Sequence, residues 1–333
     1  MLNIPHSGLN IGRRQLLTLA AIAGGGLATG VVSKAHAQVA WKPSGPVKFV
    51  VPYPPGGASD ILIRLISPGL SERLGQPVVV ENKPGATGSI GSGYVYGANP
   101  DGTTLLVGLT DAQSIYPHLA KTTYDPVKFV PVASIGTTPF VLIGRPGLPA
   151  NNLQELIALA KRQPLSFGNA GMGGSIHMMT LAFARDAGVD KMLHVPYTGM
   201  APALQAAMAS QIDVVFSVVG GVTQYRSKLK FFGVTSAERM QAIADIPTFT
   251  EQALPMVQDL WMGVLAPPNT PAAITATLSK AINEIVGSAV YKSKVSEFAM
   301  NASVTSQTEF ANYYSGEHRK WGELVRSANV KLD

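Results

Sequence analysis

The sequence predicts an α/β fold in two lobes, each a mainly parallel sheet flanked by helices. Three observations carry this. Short, near-continuous apolar runs such as residues 47–53 and 103–108 alternate with longer amphipathic stretches. Strands apolar on both faces belong to parallel sheets covered by helices. The chain has 333 residues, and single hydrophobic cores stop growing at about 250–300 residues, so two lobes are expected. Glycine-rich turns follow several predicted strands, which is where open α/β sheets bind ligands.

Taken in order, residues 47–53 read as a strand and 61–74 as a helix ended by Gly75. Residues 77–81 form the next strand, 88–99 a glycine-rich helix and 103–108 a third strand. The scheme then restarts. Asn152 opens a helix, with Glu155 three residues on as its capping-box partner. Residues 165–168 read as a strand, followed by a glycine-rich loop and a helix from about Ser175. A strand at 193–197, a helix at 201–210 and strands at 212–217 and 231–235 follow. Near the C-terminus, Thr270 caps a helix with Pro271 at its first position. Ser306 and Glu309 form a second capping box, opening a helix through Val325. No internal sequence repeat is visible.

Residues 1–37 have the composition of an export signal. Arg13 and Arg14 precede an uncharged stretch at 16–32, and Ala35-His36-Ala37 offers a small-residue cleavage site. The stretch is too short and glycine-rich for a membrane span, which needs about 20 strongly apolar residues. The arginine pair resembles a twin-arginine signal, although Gly12 stands before it; an ordinary Sec signal is the alternative. Cleavage after Ala37 removes three cations and no acid from a formal charge of +6. Such weak basicity argues against nucleic acid as a partner. The chain contains no cysteine, which excludes disulfides, thiolate metal sites, cysteine nucleophiles and a lipidated N-terminal Cys.

Candidate chemistry gathers on the turns. One is Pro54-Pro55-Gly56-Gly57-Ala58-Ser59-Asp60, a second Thr110-Asp111-Ala112, a third Asn169-Ala170-Gly171-Met172-Gly173-Gly174-Ser175. A loop entering a helix presents unpaired backbone N–H groups and a partial positive charge. Gly57, Ala58 and Ser59 are small enough to let an anion reach that backbone, and Gly171, Gly173 and Ser175 offer the same from the second half. Each loop alone reads equally as a tight turn with a helix cap. Two such loops in two lobes point to a divided anion site.

Catalytic signatures fail. Gly173-Gly174-Ser175-Ile176-His177 approaches G-x-S-x-G but has His in place of the second Gly. Ser175 and His177, two apart on a helix, point away from each other. Phosphate-loop, dinucleotide and H-E-x-x-H patterns are absent. His118, His177, His194 and His318 show no metal-ligand spacing and read as packed or surface residues, except His177 beside the third loop. An enzyme would need Ser175 or Asp60 as nucleophile or base; no catalysis, cofactor or metal is expected.

The runs Val50-Val51-Pro52-Tyr53-Pro54-Pro55-Gly56-Gly57-Ala58-Ser59-Asp60, Leu74-Gly75-Gln76-Pro77 through Pro84-Gly85-Ala86, Pro100-Asp101-Gly102 and His194-Val195-Pro196-Tyr197-Thr198-Gly199 resemble the Bug-type receptors of tripartite tricarboxylate transporters. Pro202-Ala203-Leu204, Val234-Thr235-Ser236 and Leu265-Ala266-Pro267 add to the likeness, which runs from about Val47 to the end. The resemblance implies a type II-like periplasmic clamshell with two crossings, expected near residues 137–141 and 261–264. Lobe one is then 38–139 plus 262–333, and lobe two 140–261. It implies a ligand carboxylate held between the loop from Tyr53 to Asp60 and a second loop, Ala170 to Ser175, with Tyr197, Thr198 and Gly199 adjoining. The chain departs from the family at Thr110–Pro117, where an acid and a tyrosine replace small and amide residues. It departs again at Ser217-Val218, where relatives carry an Asp-Asn pair.

The expected function is therefore an exported, monomeric receptor that captures a small carboxylate and passes it to transporter membrane subunits. A receptor signalling to a membrane sensor would share the same pocket. Asp111 has two readings: it faces the ligand, favouring a cation or donor, or it caps its own following helix through Gln113 or Ser114.

Overall fold

The computed structural model describes residues 41–169 and 171–330. The expected leader, 1–37, lies outside them. Val47–Val51 forms β1, whose four apolar side chains are all buried, with Lys48 alone partly exposed. Helix α1, Ala58–Leu74, follows and closes on Gly75 in the left-handed region at φ 65°, a conformation that costs glycine nothing. β2 (Val78–Asn82), α2 (Ser89–Tyr96) and β3 (Thr104–Leu109) complete a β-α-β-α-β unit. β1 lies parallel between β2 and β3.

A second unit repeats the order. After β4 (Val130–Gly144) and α3 (Leu153–Arg162) come β5 (Leu165–Asn169), α4 (Ser175–Ala187), β6 (Met192–Pro196), α5 (Met200–Met208) and β7 (Val214–Val218). β5 lies parallel between β6 and β7. β8 (Lys230–Val234), β9 (Asp259–Ala266), α6 (Ala272–Val286), α7 (Ala289–Glu297) and α8 (Gln307–Ala328) finish the chain.

Among the described residues, nine strands form two sheets that share β4. One runs β2-β1-β3-β9-β4, the other β6-β5-β7-β4-β8. In each, one strand opposes the other four: β9 in the first, β4 in the second. The architecture is thus the expected two-lobe α/β clamshell with mainly parallel sheets. β4 makes the passage. Its residues Val130 to Pro139 pair with β9, and from Phe140 to Gly144 it pairs with β7. Pro139, which has no N–H to donate, sits at the change of partner. Every residue of the expected second crossing, 261–264, lies inside β9 and pairs with the first sheet. The backbone reaches that sheet earlier, through Gln258, whose N–H donates to the Thr235 carbonyl 3.0 Å away.

Buried aromatic residues fill the layers. Phe183 of α4, Phe216 of β7 and Phe249 meet with centroids 6.1 Å apart, and truncating any one to Ala costs about 3–5 kcal/mol. Asn152 caps α3 and Ser306 caps α8 through a complete capping box with Glu309, as their spacing predicts. At α6 the helix begins at Ala272, so Pro271 is the cap residue rather than the first helical one. The Thr270 hydroxyl instead donates to the Pro267 carbonyl, 2.8 Å away.

Candidate functional site: paired helix entrances in a cleft

The loops after β1 and β5 enter α1 and α4 through the same backbone path. Gly56 and Gly173 are left-handed, at φ 83° and 76°. The next residues, Gly57 and Gly174, are extended N-caps at φ −72°, ψ 165° and φ −79°, ψ 168°. Neither cap residue has a side chain to cap with, so the first-turn N–H groups face outward from the helix ends.

Each loop is pegged by the residue four positions beyond its left-handed glycine. Asp60 accepts the Gly56 N–H at 3.0 Å and His177 Nδ1 accepts the Gly173 N–H at 3.1 Å. Both pegs are buried. Asp60 also accepts from Arg64 Nε and Asn82 Nδ2, each at 2.9 Å, and Asn82 donates to the Tyr53 carbonyl. Burial pushes the Asp60 pKa up, but the bonds from Arg64, Gly56 and Asn82 outweigh it and hold the carboxyl at about 2. Asp60 therefore shapes the loop, with its oxygens already engaged.

His177 stacks on His194, centroids 4.6 Å apart and planes 15° apart, with Phe167 behind. Burial, then the neighbouring His194, pull the His177 pKa down to about 4; burial lowers His194 as well. Both rings are neutral at pH 7. Because Nδ1 accepts, the His177 proton sits on Nε2. Asn169 ties this loop together: its Oδ1 accepts the Gly171 N–H at 2.9 Å and its Nδ2 lies 2.6 Å from His194 Nε2. Asn169 stood in the third candidate turn without a role of its own, and His194 was read as a packed or surface residue. The signal was present in the sequence, a polar residue at the carboxyl end of a strand.

Asp111 ties the turn after β3 to the second loop. Its Oδ1 accepts the Ser175 N–H at 2.7 Å, across from the first sheet's β3 to the second unit's α4. Of the two expectations for Asp111, the local cap is not what forms. Residues Asp111–Ile115 make a short π-helical turn, and the carboxylate caps a helix from the other half of the fold instead. Burial raises its pKa, opposed by the Ser175 bonds; burial, and after it the charge of Asp111, push up the phenol of Tyr53.

The other expected residues take different places. Thr110 is fully buried and its hydroxyl accepts the Trp261 N–H at 3.0 Å, which ties β3 to β9. Ser217 is buried with its hydroxyl on the Val218 carbonyl. Tyr197 lies against Gly168, and Thr198 is exposed. Ser59 is 3% exposed, and its hydroxyl makes no hydrogen bond among the described residues. Ala170 lies outside the described residues.

A cavity of about 240 Å³ opens beside the α1 entrance. Gly56, Ala58 and Ile61 line one wall, Val218, Gly220 and Gly221 the other, with Thr138 of β4 between and Phe298 and Met300 completing it. No charged side chain lines it. The walls belong to different halves, and they meet at Gly220, where an added Cβ would stand 2.4 Å from the Phe298 carbonyl oxygen. A hollow of about 340 Å³ between α4 and α8 meets both helices along their flanks rather than at an N-terminus.

Residues 62–330 match the family model described as tripartite tricarboxylate transporter family receptor. A protein from Pseudomonas sp. strain P51, named for the tcbD-tcbE intergenic region, is 34% identical over 95% of this chain and 94% of its own. BugT of Bordetella pertussis is 30% identical over 87% of this chain and 91% of its own. Among solved structures, periplasmic binding protein BugD superposes with TM-score 0.72 at 29% identity, covering 87% of this chain and all of BugD. MatC of Rhodopseudomonas palustris, solved with bound malate, gives TM-score 0.71 at 29% identity over 85% of this chain and 99% of its own. The chain belongs to the tripartite tricarboxylate transporter receptor family, of the Bug type.

Proposed function

We propose that this protein is an extracytoplasmic solute-binding receptor that closes its lobes on a small carboxylate and delivers it to the membrane subunits of a tripartite tricarboxylate-type transporter. The observation that carries the reading is the α1 entrance: a helix N-terminus that no side chain caps, beside a small cavity whose walls come from both halves. Backbone N–H groups and the helix dipole favour an anion there. Bound malate in a family member supports the ligand class. The lobes divide where β4 changes partner, near Pro139, and where the chain returns at Gln258. Binding rather than turnover fits a buried Asp60 whose oxygens are already engaged by Gly56, Arg64 and Asn82.

A ligand at ~100 times its dissociation constant stabilises the fold by about 2.7 kcal/mol, which raises the melting temperature by several degrees. A carboxylate is expected to do this, with compaction in small-angle scattering. Stabilisation by neutral sugars and by no carboxylate would overturn the reading.

The protein acts in the periplasm as a monomer, exported on the twin-arginine route with residues 1–37 removed. Arg13→Lys with Arg14→Lys then leaves precursor in the cytoplasm; normal processing of that variant assigns export to Sec.

A further inference from the structure

We propose that Asp111 is a built-in occupant of the second anion position, so that this receptor selects ligands with one carboxylate and an apolar body and discriminates against dicarboxylates. The inference rests on the carboxylate-binding reading and names the ligand class for that site. The two helix entrances are conformational copies of each other, from the left-handed glycine to the peg four residues on. They differ in what meets them. No side chain caps α1, whereas α4 receives the Asp111 carboxylate at 2.7 Å. That oxygen also stands 3.3 Å from where a Cβ on Gly174 would be, against 3.5 Å to the nearest atom, a backbone carbonyl, at Gly57. A carboxylate from the protein thus already sits where the fold's internal symmetry puts an anion.

A ligand's own second carboxylate would have to displace Asp111 or lie beside it, charge against charge, in a partly desolvated site. The cavity beside α1 reinforces the selection. Ile61, Val218, Phe298 and Met300 give it apolar walls, and no cation lines it to receive a second negative charge.

The test is calorimetric titration of the purified protein with 3-methylbutanoate and with malate. Wild type is expected to bind the monocarboxylate at least tenfold more tightly. Asp111→Asn keeps an oxygen for the Ser175 N–H and loses the charge; it should gain tenfold or more for malate, with the monocarboxylate within threefold. Ser175→Pro removes the donor at a helix position that tolerates proline, and added to Asp111→Asn it should cancel the malate gain. A wild type that prefers malate overturns the proposal even if a variant is unstable, and so does a folded Asp111→Asn with no gain, while the receptor reading stands in both cases. If neither ligand nor a wider carboxylate panel binds wild type or variant, the receptor reading falls and this one with it.

Discussion

The loops after β1 and β5 share one backbone design and differ in the charge of the residue that pegs them. Both run Gly-Gly into a helix, and both are held by a side chain returning to the left-handed glycine's N–H. In the first the peg is Asp60, an anion braced by Arg64 and Asn82. In the second it is His177, a neutral ring braced by stacking on His194 and Phe167. The geometry of an anion-receiving turn therefore does not dictate the chemistry of its support. The requirement is a buried acceptor at the right distance, and a carboxylate or an imidazole nitrogen serves.

The largest effect expected from this comparison is on binding. A Cβ at Gly57 meets only the Pro54 carbonyl, at 3.5 Å, and φ is −72°, so the fold accepts a side chain there. Gly57→Val should leave melting within a few degrees of wild type and weaken carboxylate binding more than 100-fold, by blocking approach to the α1 N–H groups. Unchanged affinity by calorimetry would place the site elsewhere.

Acid separates the two pegs. His177 is held at about 4, below its ordinary value, so the unfolded chain binds the extra proton first. The stability this represents is complete above pH 6.5 and falls as pH drops toward 4, by up to about 3 kcal/mol. Asp60, held at about 2, contributes about 2 kcal/mol that is complete above pH 4 and lost only as pH falls toward 2. Denaturant melts across pH should show His177→Phe flattening the upper limb, and Asp60→Asn flattening the lower. Hydrogen exchange at pH 5 should rise in the second loop before the first. Equal loosening of both loops at pH 5 would contradict the assignment of the pegs.

Much of this was legible in the sequence. The strands of both β-α-β-α-β units, the stop at Gly75 and the caps at Asn152 and Ser306 are written in residues a few positions apart, and local sterics and hydrogen bonding act over that distance. The glycine pairs at 56–57 and 173–174 were visible for the same reason. Their equivalence was not, because one is followed by Ala-Ser-Asp and the other by Ser-Ile-His. β4 was not assigned from the sequence; it carries Pro131 and Pro139, which the strand tolerates where its pairing shifts or changes partner.

The sequence by itself determined the class of fold, the family likeness and the two helix entrances. Only the tertiary structure decided what meets those entrances. Asp111 and Ser175 are 64 residues apart, and nothing local to either selects the other; the order of strands across both sheets brings them together. Thr110, one residue earlier, is turned into the core and spent on Trp261. A backbone preference is settled by a residue and its near neighbours, whereas the partner of a charge depends on which distant element the packed core leaves within about 3 Å of it.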